Sequence, residues 1–215
     1  MHFLFSSIGK KTVMALSGLF LCTFLVVHLW GNLYLFKGRE AFNHYSEAMV
    51  KNPLIRMMEI VLFLGFIFHI ADAIRLSVEN KKARPISYAR KKYSVKSSGV
   101  ARYMGVTGAI VFIFLVLHLN TFFVRFRFGS YAENLTMYDG VVEAFSHLWY
   151  AGLYVLAMLL MGLHLIHGFQ SAFQTLGINH WKLTPWIKGA GYVYSILISV
   201  GFASMPVYFH FFYGR

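Results

Sequence analysis

Five long apolar stretches, separated by short charged segments, dominate this sequence of 215 residues. A helix needs roughly 20 mostly apolar residues to cross a hydrocarbon core about 30 Å thick. The stretches are long enough for that and leave little chain for an extramembrane domain. We therefore expect one all-α domain over residues 1–215, an integral membrane bundle of five transmembrane helices. The predicted spans are 12–36, 54–78, 102–124, 146–175 and 186–211.

Composition excludes several other classes of protein. The chain is 58% hydrophobic and only 13% charged, which does not suit a soluble domain. Its single cysteine, Cys22, excludes an internal disulfide, a cysteine-ligated iron–sulfur cluster and a thiolate zinc site. The first apolar run follows Lys10 and Lys11 but is long and has no small-residue cleavage site, so we interpret it as a span and not as a signal peptide.

The net charge of +12 is interpreted as membrane topology and not as nucleic-acid binding, because no soluble basic domain is available to hold a duplex. The most basic segment, 79–92, lies between spans two and three and is expected in the cytoplasm. That places the N-terminus and the loop with Lys182 and Lys188 on the same side, with 13 of the 20 basic residues, and the C-terminus outside. The outer connections, 37–53 and 125–145, are each long enough for a short interfacial helix.

Five of the ten histidines fall within the apolar spans, where ionisable groups are costly and mark candidate functional sites. They are His28, His69, His118, His164 and His167. For any one of them alone, a neutral imidazole that hydrogen-bonds a neighbouring helix is the simpler interpretation.

The depths of these histidines favour a functional interpretation. His28 and His118 lie in the outer halves of spans one and three, whereas His69 and His164 lie in the inner halves of spans two and four. Bis-imidazole ligation of haem iron needs two histidines at one depth on facing helices. His167 follows His164 by three residues and is the alternative fourth ligand.

Glycines near these histidines would leave space for a flat macrocycle. Gly65 precedes His69 by one turn, and Gly168 follows His164 by one turn. Close helix packing is the alternative reason for such glycines in membranes.

Two motifs carry a family resemblance. One is Ser17-Gly18-Leu19-Phe20 followed by His28-Leu29-Trp30-Gly31-Asn32-Leu33, and the other is His164-Leu165-Ile166-His167-Gly168 followed by Gln174-Thr175-Leu176-Gly177. With this length and these four histidines in order, the chain resembles the diheme cytochrome b558 membrane-anchor subunit of bacterial succinate dehydrogenases and fumarate reductases.

That resemblance implies two haems b, with His28 and His118 as axial ligands of the outer haem and His69 and His164 as ligands of the inner one. In the family a glycine follows the fourth ligand by four positions, as Gly168 follows His164. Some fumarate reductases carry a glutamate two residues before that ligand, linked to proton movement. Gly162 stands there in this chain.

The resemblance further implies an electron-transfer subunit that is not catalytic alone. It would lie in the bacterial cytoplasmic (inner) membrane, surrounded by lipid, and dock on its cytoplasmic face to an iron–sulfur subunit and a flavoprotein subunit holding FAD. Electrons would pass to or from a membrane quinone, with menaquinone expected, and a dimer of the whole complex is compatible with this. No nucleic-acid partner is expected.

Polar residues near the span ends are candidates for binding quinone and the haem propionates. Quinone chemistry exchanges protons, so Glu47 and His44 in the first outer connection are the quinone candidates, although solvated loop residues would look the same. Basic or hydroxyl groups attract propionates, but they also anchor span ends in the headgroups. The propionate candidates are Arg125, Arg75, Arg102 and Ser171.

Two other functions remain open from the residues. One is the cytochrome b subunit of another membrane redox complex, such as a formate dehydrogenase or a hydrogenase. The other is a haem-free proton-coupled transporter, which would use the intramembrane histidines as a relay. Glu59 and Asp72, carboxylates in or near span two, either pair with a neighbouring arginine or carry protons.

Overall fold

The structure is a computed structural model that describes residues 6–82, 104–129 and 135–214. Within those ranges there is no strand, and five helices are long and apolar enough to cross a membrane, which confirms the predicted fold class. These five are Ser7–Lys37, Pro53–Lys82, Met104–Phe128, Leu148–Thr175 and Leu183–Phe211.

We number the helices in chain order. They are α1 (Ser7–Asn32, continued by a 3-10 turn over Leu33–Lys37), α2 (Arg39–Lys51), α3 (Pro53–Lys82), α4 (Met104–Phe128), α5 (Met137–Ser146), α6 (Leu148–Thr175) and α7 (Leu183–Phe211). Several extend beyond the uncharged runs, because residues such as Lys10 in α1 and Lys81 in α3 remain helical at the ends. Long basic side chains allow this by reaching from a helix end to the headgroups.

The two predicted outer connections, which are long enough for a short helix, each contain one. These helices, α2 and α5, contact each other and cover one end of the bundle, which we call the capped end. The start of α5 is fixed by a capping box between Thr136 and Asp139, and Arg39 at the start of α2 forms an ion pair with Asp139.

The spans are arranged around α1 and α6, which pack against each other. Helix α3 packs on α1, α4 packs on α6, and α7 contacts both α6 and α1. The rings of Phe63 in α3 and Phe123 in α4 meet at 5.4 Å on the remaining side. Helices α1 and α4 are therefore diagonal across the bundle, and so are α3 and α6. A diagonal pair faces across interior space without close backbone contact.

The outside of the bundle is apolar, as lipid requires. Helix α3 has no buried residue, and Ile67 on it remains 59% exposed. In water this would be an unusually large exposed apolar surface, whereas in a bilayer it is the expected lipid contact.

Helix α6 is the most buried span because α7 lies along it at close range. A Cβ atom added to Gly162 of α6 would lie 2.5 Å from the Ser199 hydroxyl of α7. A residue without a side chain at this point lets the two backbones approach, which is the usual way that membrane helices gain packing contacts.

Candidate functional site

His28 of α1 and His118 of α4 face each other across one diagonal of the bundle. Their ring centroids are 5.8 Å apart and the rings are nearly perpendicular, at 88°. A metal bonds an imidazole nitrogen at about 2.0–2.1 Å, so two imidazoles on opposite sides of one metal ion have centroids about 6 Å apart. The observed spacing fits that arrangement.

Aromatic side chains surround this pair. Phe24 stacks on His28 at 5.1 Å, and Phe202 from α7 lies 5.5 Å from the same ring. Phe122 lies 5.4 Å from the His118 ring. Such an environment is apolar and favours the neutral imidazole that metal ligation requires.

His69 of α3 and His164 of α6 project into the bundle along the other diagonal. A Cβ added to Gly18 of α1 would lie 3.4 Å from Cε1 of His69, and one added to Gly108 of α4 would lie 3.3 Å from Cε1 of His164. Each ring is thus accommodated by a glycine on a neighbouring helix.

The two pairs lie at different depths. Along α1, the glycine beside His69 precedes His28 by ten residues, which corresponds to about 15 Å at 1.5 Å per residue. Along α4, Gly108 beside His164 precedes His118 by the same number, which gives the same separation of about 15 Å. The separation along α1 equals the separation along α4, so the two histidine pairs lie at two different depths in the bundle.

A further regularity appears at the Nδ1 atoms of these four histidines. Each lies near a polar side-chain atom from the same helix or a neighbouring one. The pairs are His69 Nδ1 with Ser17 Oγ at 3.1 Å, His118 Nδ1 with the Tyr154 hydroxyl at 3.1 Å, His164 Nδ1 with Thr107 Oγ1 at 3.4 Å, and His28 Nδ1 with Asn32 Nδ2 at 3.4 Å.

The hydroxyl contacts also indicate which ring nitrogen carries the proton. Ser17 Oγ donates its proton to the Met14 carbonyl at 3.1 Å, so toward His69 it acts as an acceptor. Thr107 Oγ1 likewise donates to the Met104 carbonyl at 3.1 Å and accepts from His164. A proton on Nδ1 leaves the lone pair on Nε2. In the described part of the chain, the Nε2 atoms of His69 and His164 have no hydrogen-bond partner. This is how metal-binding histidines are usually oriented.

The donor set fits the axial positions of a haem. No group of three or more His, Cys, Asp or Glu side chains is gathered for a metal ion in the described ranges. Two imidazoles alone do not complete the coordination of iron, whereas a porphyrin supplies four nitrogens and leaves two axial positions. Facing imidazoles are the kind of donor that those two axial positions take.

His167 differs from its neighbour His164. His167 is half-buried and has no hydrogen bond to any residue that the structure describes. His164, in contrast, is oriented by Thr107 and lies against Gly108. The geometry favours His164 over His167 as the partner of His69.

The quinone candidates lie on the solvent-facing side of α2. Glu47 forms an ion pair with Lys51 at 3.1 Å, and both Glu47 and His44 are exposed. Tyr45 between them faces the bundle, where it stacks on Tyr34 at 4.7 Å. Tyr45 was not identified from the sequence, although the helical period that it shares with Phe42 indicates this inward face of α2.

The propionate candidates are spread over both ends. Arg75 pairs with Glu79 at 3.2 Å, and Glu79 also binds Lys10 at 2.7 Å, so these groups connect α3 to α1. Arg125 is exposed toward the capped end of α4. Ser171 lines an open hollow of about 270 Å³ together with Lys11. Arg102 lies outside the described residues.

The two carboxylates of α3 have different surroundings. Glu59 pairs with Arg56 at 2.5 Å, which is the first of the two roles considered for it. One oxygen of Asp72 is buried without a hydrogen-bond partner among the described residues.

The glycines proposed to leave room for a macrocycle lie against side chains of neighbouring helices, which is the close packing considered as the alternative. A Cβ on Gly65 would lie 2.7 Å from the Phe20 ring, and one on Gly168 would lie 3.5 Å from Met104. Gly18 and Gly108, which do face the histidines, were not identified from sequence. Their partners are distant in the chain, so no local spacing indicates them.

One curated protein provides a similarity over most of the chain. The chain is 28% identical, over 158 residues, to the succinate dehydrogenase cytochrome b558 subunit of Bacillus subtilis (strain 168). That alignment covers 73% of this chain and 73% of the relative. No protein-family model matches the chain, and no solved structure matches it. The similarity supports the relation to this group of cytochrome subunits that the two sequence motifs indicated.

Proposed function

We propose that this chain is the membrane-anchor cytochrome b subunit of a succinate:quinone oxidoreductase or quinol:fumarate reductase. It binds two haems b, one through His28 and His118 and the other through His69 and His164. The single observation that carries the proposal is the pair of imidazoles facing each other at 5.8 Å across the bundle. The similarity to a succinate dehydrogenase cytochrome subunit supports the assignment to this complex.

When bound, the haems supply one-electron redox centres between the partner subunits and a membrane quinone, with menaquinone expected. The chain itself orients the axial imidazoles through Ser17, Thr107 and Tyr154 and surrounds them with apolar side chains. Because the two histidine levels lie about 15 Å apart, the chain would hold its two haems at different depths between the membrane faces.

The side facing the partners follows from the charge distribution. In the proposed topology the basic segment 79–92 and the His69–His164 pair lie on the cytoplasmic side, where an iron–sulfur subunit and a flavoprotein subunit dock. The capped end is then external. Glu47 and His44 remain the proposed proton carriers of a quinone site at that end, and Arg75, Arg102, Arg125 and Ser171 remain the proposed propionate partners.

The test is an optical spectrum of the purified complex and of the isolated chain after dithionite reduction. We expect a haem b α-band, two haems per chain, and loss of one haem when any of the four paired histidines is replaced by alanine. Co-purification of an iron–sulfur and a flavin-containing subunit identifies the complex. A formate dehydrogenase or hydrogenase partner would overturn the proposed complex but not the haem sites.

His167→Ala is the matched control, because His167 lies three residues from His164 on the same helix. We expect this variant to retain both haems. If His164→Ala retained both haems and His167→Ala lost one, the assignment of the fourth ligand would be reversed. A colourless wild-type protein would refute the cytochrome and leave a proton-coupled transporter as the interpretation of the histidines.

A further inference from the structure

A chain of three hydroxyl groups ends on His118 and lies outside the motifs that indicated the histidines. The Tyr154 hydroxyl is 3.1 Å from His118 Nδ1, and it is 3.3 Å from the hydroxyl of Tyr150, one turn earlier in α6. The Tyr150 hydroxyl is in turn 2.7 Å from Oγ1 of Thr121 in α4. Tyr150 and Tyr154 are 8% and 6% exposed, so these groups have little access to other partners.

The proton positions in this chain follow from the proposed ligation of iron through Nε2 of His118, which leaves the imidazole proton on Nδ1. The Tyr154 oxygen then accepts from Nδ1–H of His118. A hydroxyl has one proton, so Tyr154 donates its own to Tyr150, and Tyr150 donates in its shorter bond, to Thr121.

The local helix geometry supports this arrangement. Residues Leu119–Val124, directly after His118, form a π-helical segment within α4. Such segments are rare, and they often occur at functional sites because they change the direction of side chains relative to a regular helix. Here the segment holds Thr121, and the Phe122 ring lies 6.2 Å from the Tyr154 ring.

We propose that Tyr154, supported by Tyr150 and Thr121, is a positioning residue that fixes His118 with its proton on Nδ1 and tunes the haem of the His28–His118 pair. This inference rests on the proposed function. A partner that accepts the Nδ1 proton raises the basicity of the ligand. A more basic ligand stabilises ferric over ferrous iron, so the Tyr154 hydroxyl lowers the reduction potential of this haem. In the described part of the chain, the Nδ1 partners of His69 and His164 are Ser17 and Thr107, which lie outside this chain of hydroxyls.

The test is a redox titration of the two α-band components, with electron paramagnetic resonance of the ferric haems, in the complete complex. Tyr154→Phe keeps the ring but removes the hydroxyl. We expect a positive shift in the midpoint potential of one haem, a change in its g-values, and an unchanged second haem. Tyr150→Phe and Thr121→Val should shift the same haem by less, and they test the proposal if Tyr154→Phe does not assemble.

Tyr194→Phe is the matched control. Tyr194 is also a tyrosine within a span. Its hydroxyl donates to the Cys22 carbonyl at 2.8 Å and not to a histidine of either pair. Potentials that remain unchanged in all three test variants would overturn the inference, as would an equal shift in Tyr194→Phe or an equal shift of both haems. A wild-type complex without haem would instead refute the proposed function itself.

Discussion

Ser17→Ala tests whether the hydroxyl partner of His69 helps to hold the proposed haem. The substitution removes the oxygen that lies 3.1 Å from His69 Nδ1 and leaves that N–H without an acceptor. A buried donor that loses its partner costs about 1–3 kcal/mol. Both residues are only half-buried, so we expect the lower part of that range, about 1–2 kcal/mol. This corresponds to about 5- to 30-fold weaker retention of one haem.

The assay is competition for haem between the purified complex and an excess of apomyoglobin, followed at the α-band. Thr23→Ala is the control, because Thr23 is in the same helix, donates to a carbonyl of its own helix at 3.1 Å and has no contact with a histidine. Thr107→Val should weaken the same haem by less, since its contact with His164 is longer, at 3.4 Å. Equal haem retention in Ser17→Ala and Thr23→Ala would refute the reasoning.

Three further predictions concern packing and charge. Gly108→Val should displace the His164 ring and lower the haem content to one per chain, as measured by the pyridine haemochrome assay. Gly105→Val should retain both haems, because a Cβ atom at Gly105, one turn earlier, has no neighbouring atom within 4 Å among the described residues. Gly162→Ala should cost about 1–3 kcal/mol of overpacking against Ser199, visible as a lower unfolding temperature in detergent. The double variant Gly162→Ala/Ser199→Ala should recover part of the lost unfolding temperature. Gly152→Ala should leave the unfolding temperature unchanged. Asp139→Asn should lower the unfolding temperature at neutral pH, with Glu143→Gln as control.

The pH dependence of that last variant follows from the surroundings of Asp139. Burial raises the pKa of Asp139, but hydrogen bonds from Thr136 and the ion pair with Arg39 outweigh burial, so the pKa lies below its ordinary value. A depressed pKa stabilises the fold above the unfolded value of about 3.9, and the contribution is lost as the pH falls through the folded pKa. The difference between wild type and Asp139→Asn should therefore be constant near neutrality, begin to fall as the pH approaches about 4, and disappear below the folded pKa. A difference that does not fall on acidification below about pH 4 would contradict this origin.

Helix number and histidine depth were accessible from the sequence because they depend on local patterns. Apolar runs of membrane length predicted five spans, and the structure has five such helices in its described part. The rise per residue placed His28 with His118 and His69 with His164 in depth, and the two pairs do lie at two levels. The outer connections were seen to be long enough for a short helix, and each contains one.

The immediate surroundings of the histidines were not accessible in this way. Ser17 is 52 residues from His69, Thr107 is 57 residues from His164, and Tyr154 is 36 residues from His118. Which side chains meet depends on how each helix is rotated about its axis and which helices become neighbours. Membrane spans that are apolar on all sides carry little periodic signal for that rotation. The neighbours of Gly65 and Gly168, and the position of Gly18 and Gly108 beside the histidines, could not be predicted for the same reason.

The sequence by itself determined that this chain crosses a lipid core as helices, and how deep each histidine lies, because span length and rise per residue are properties of a single helix. The tertiary structure decided which diagonals of the bundle the imidazoles face, which hydroxyl orients each ring, and that Tyr45 and not His44 points inward. Those features depend on contacts between helices, which arise only when the spans pack together.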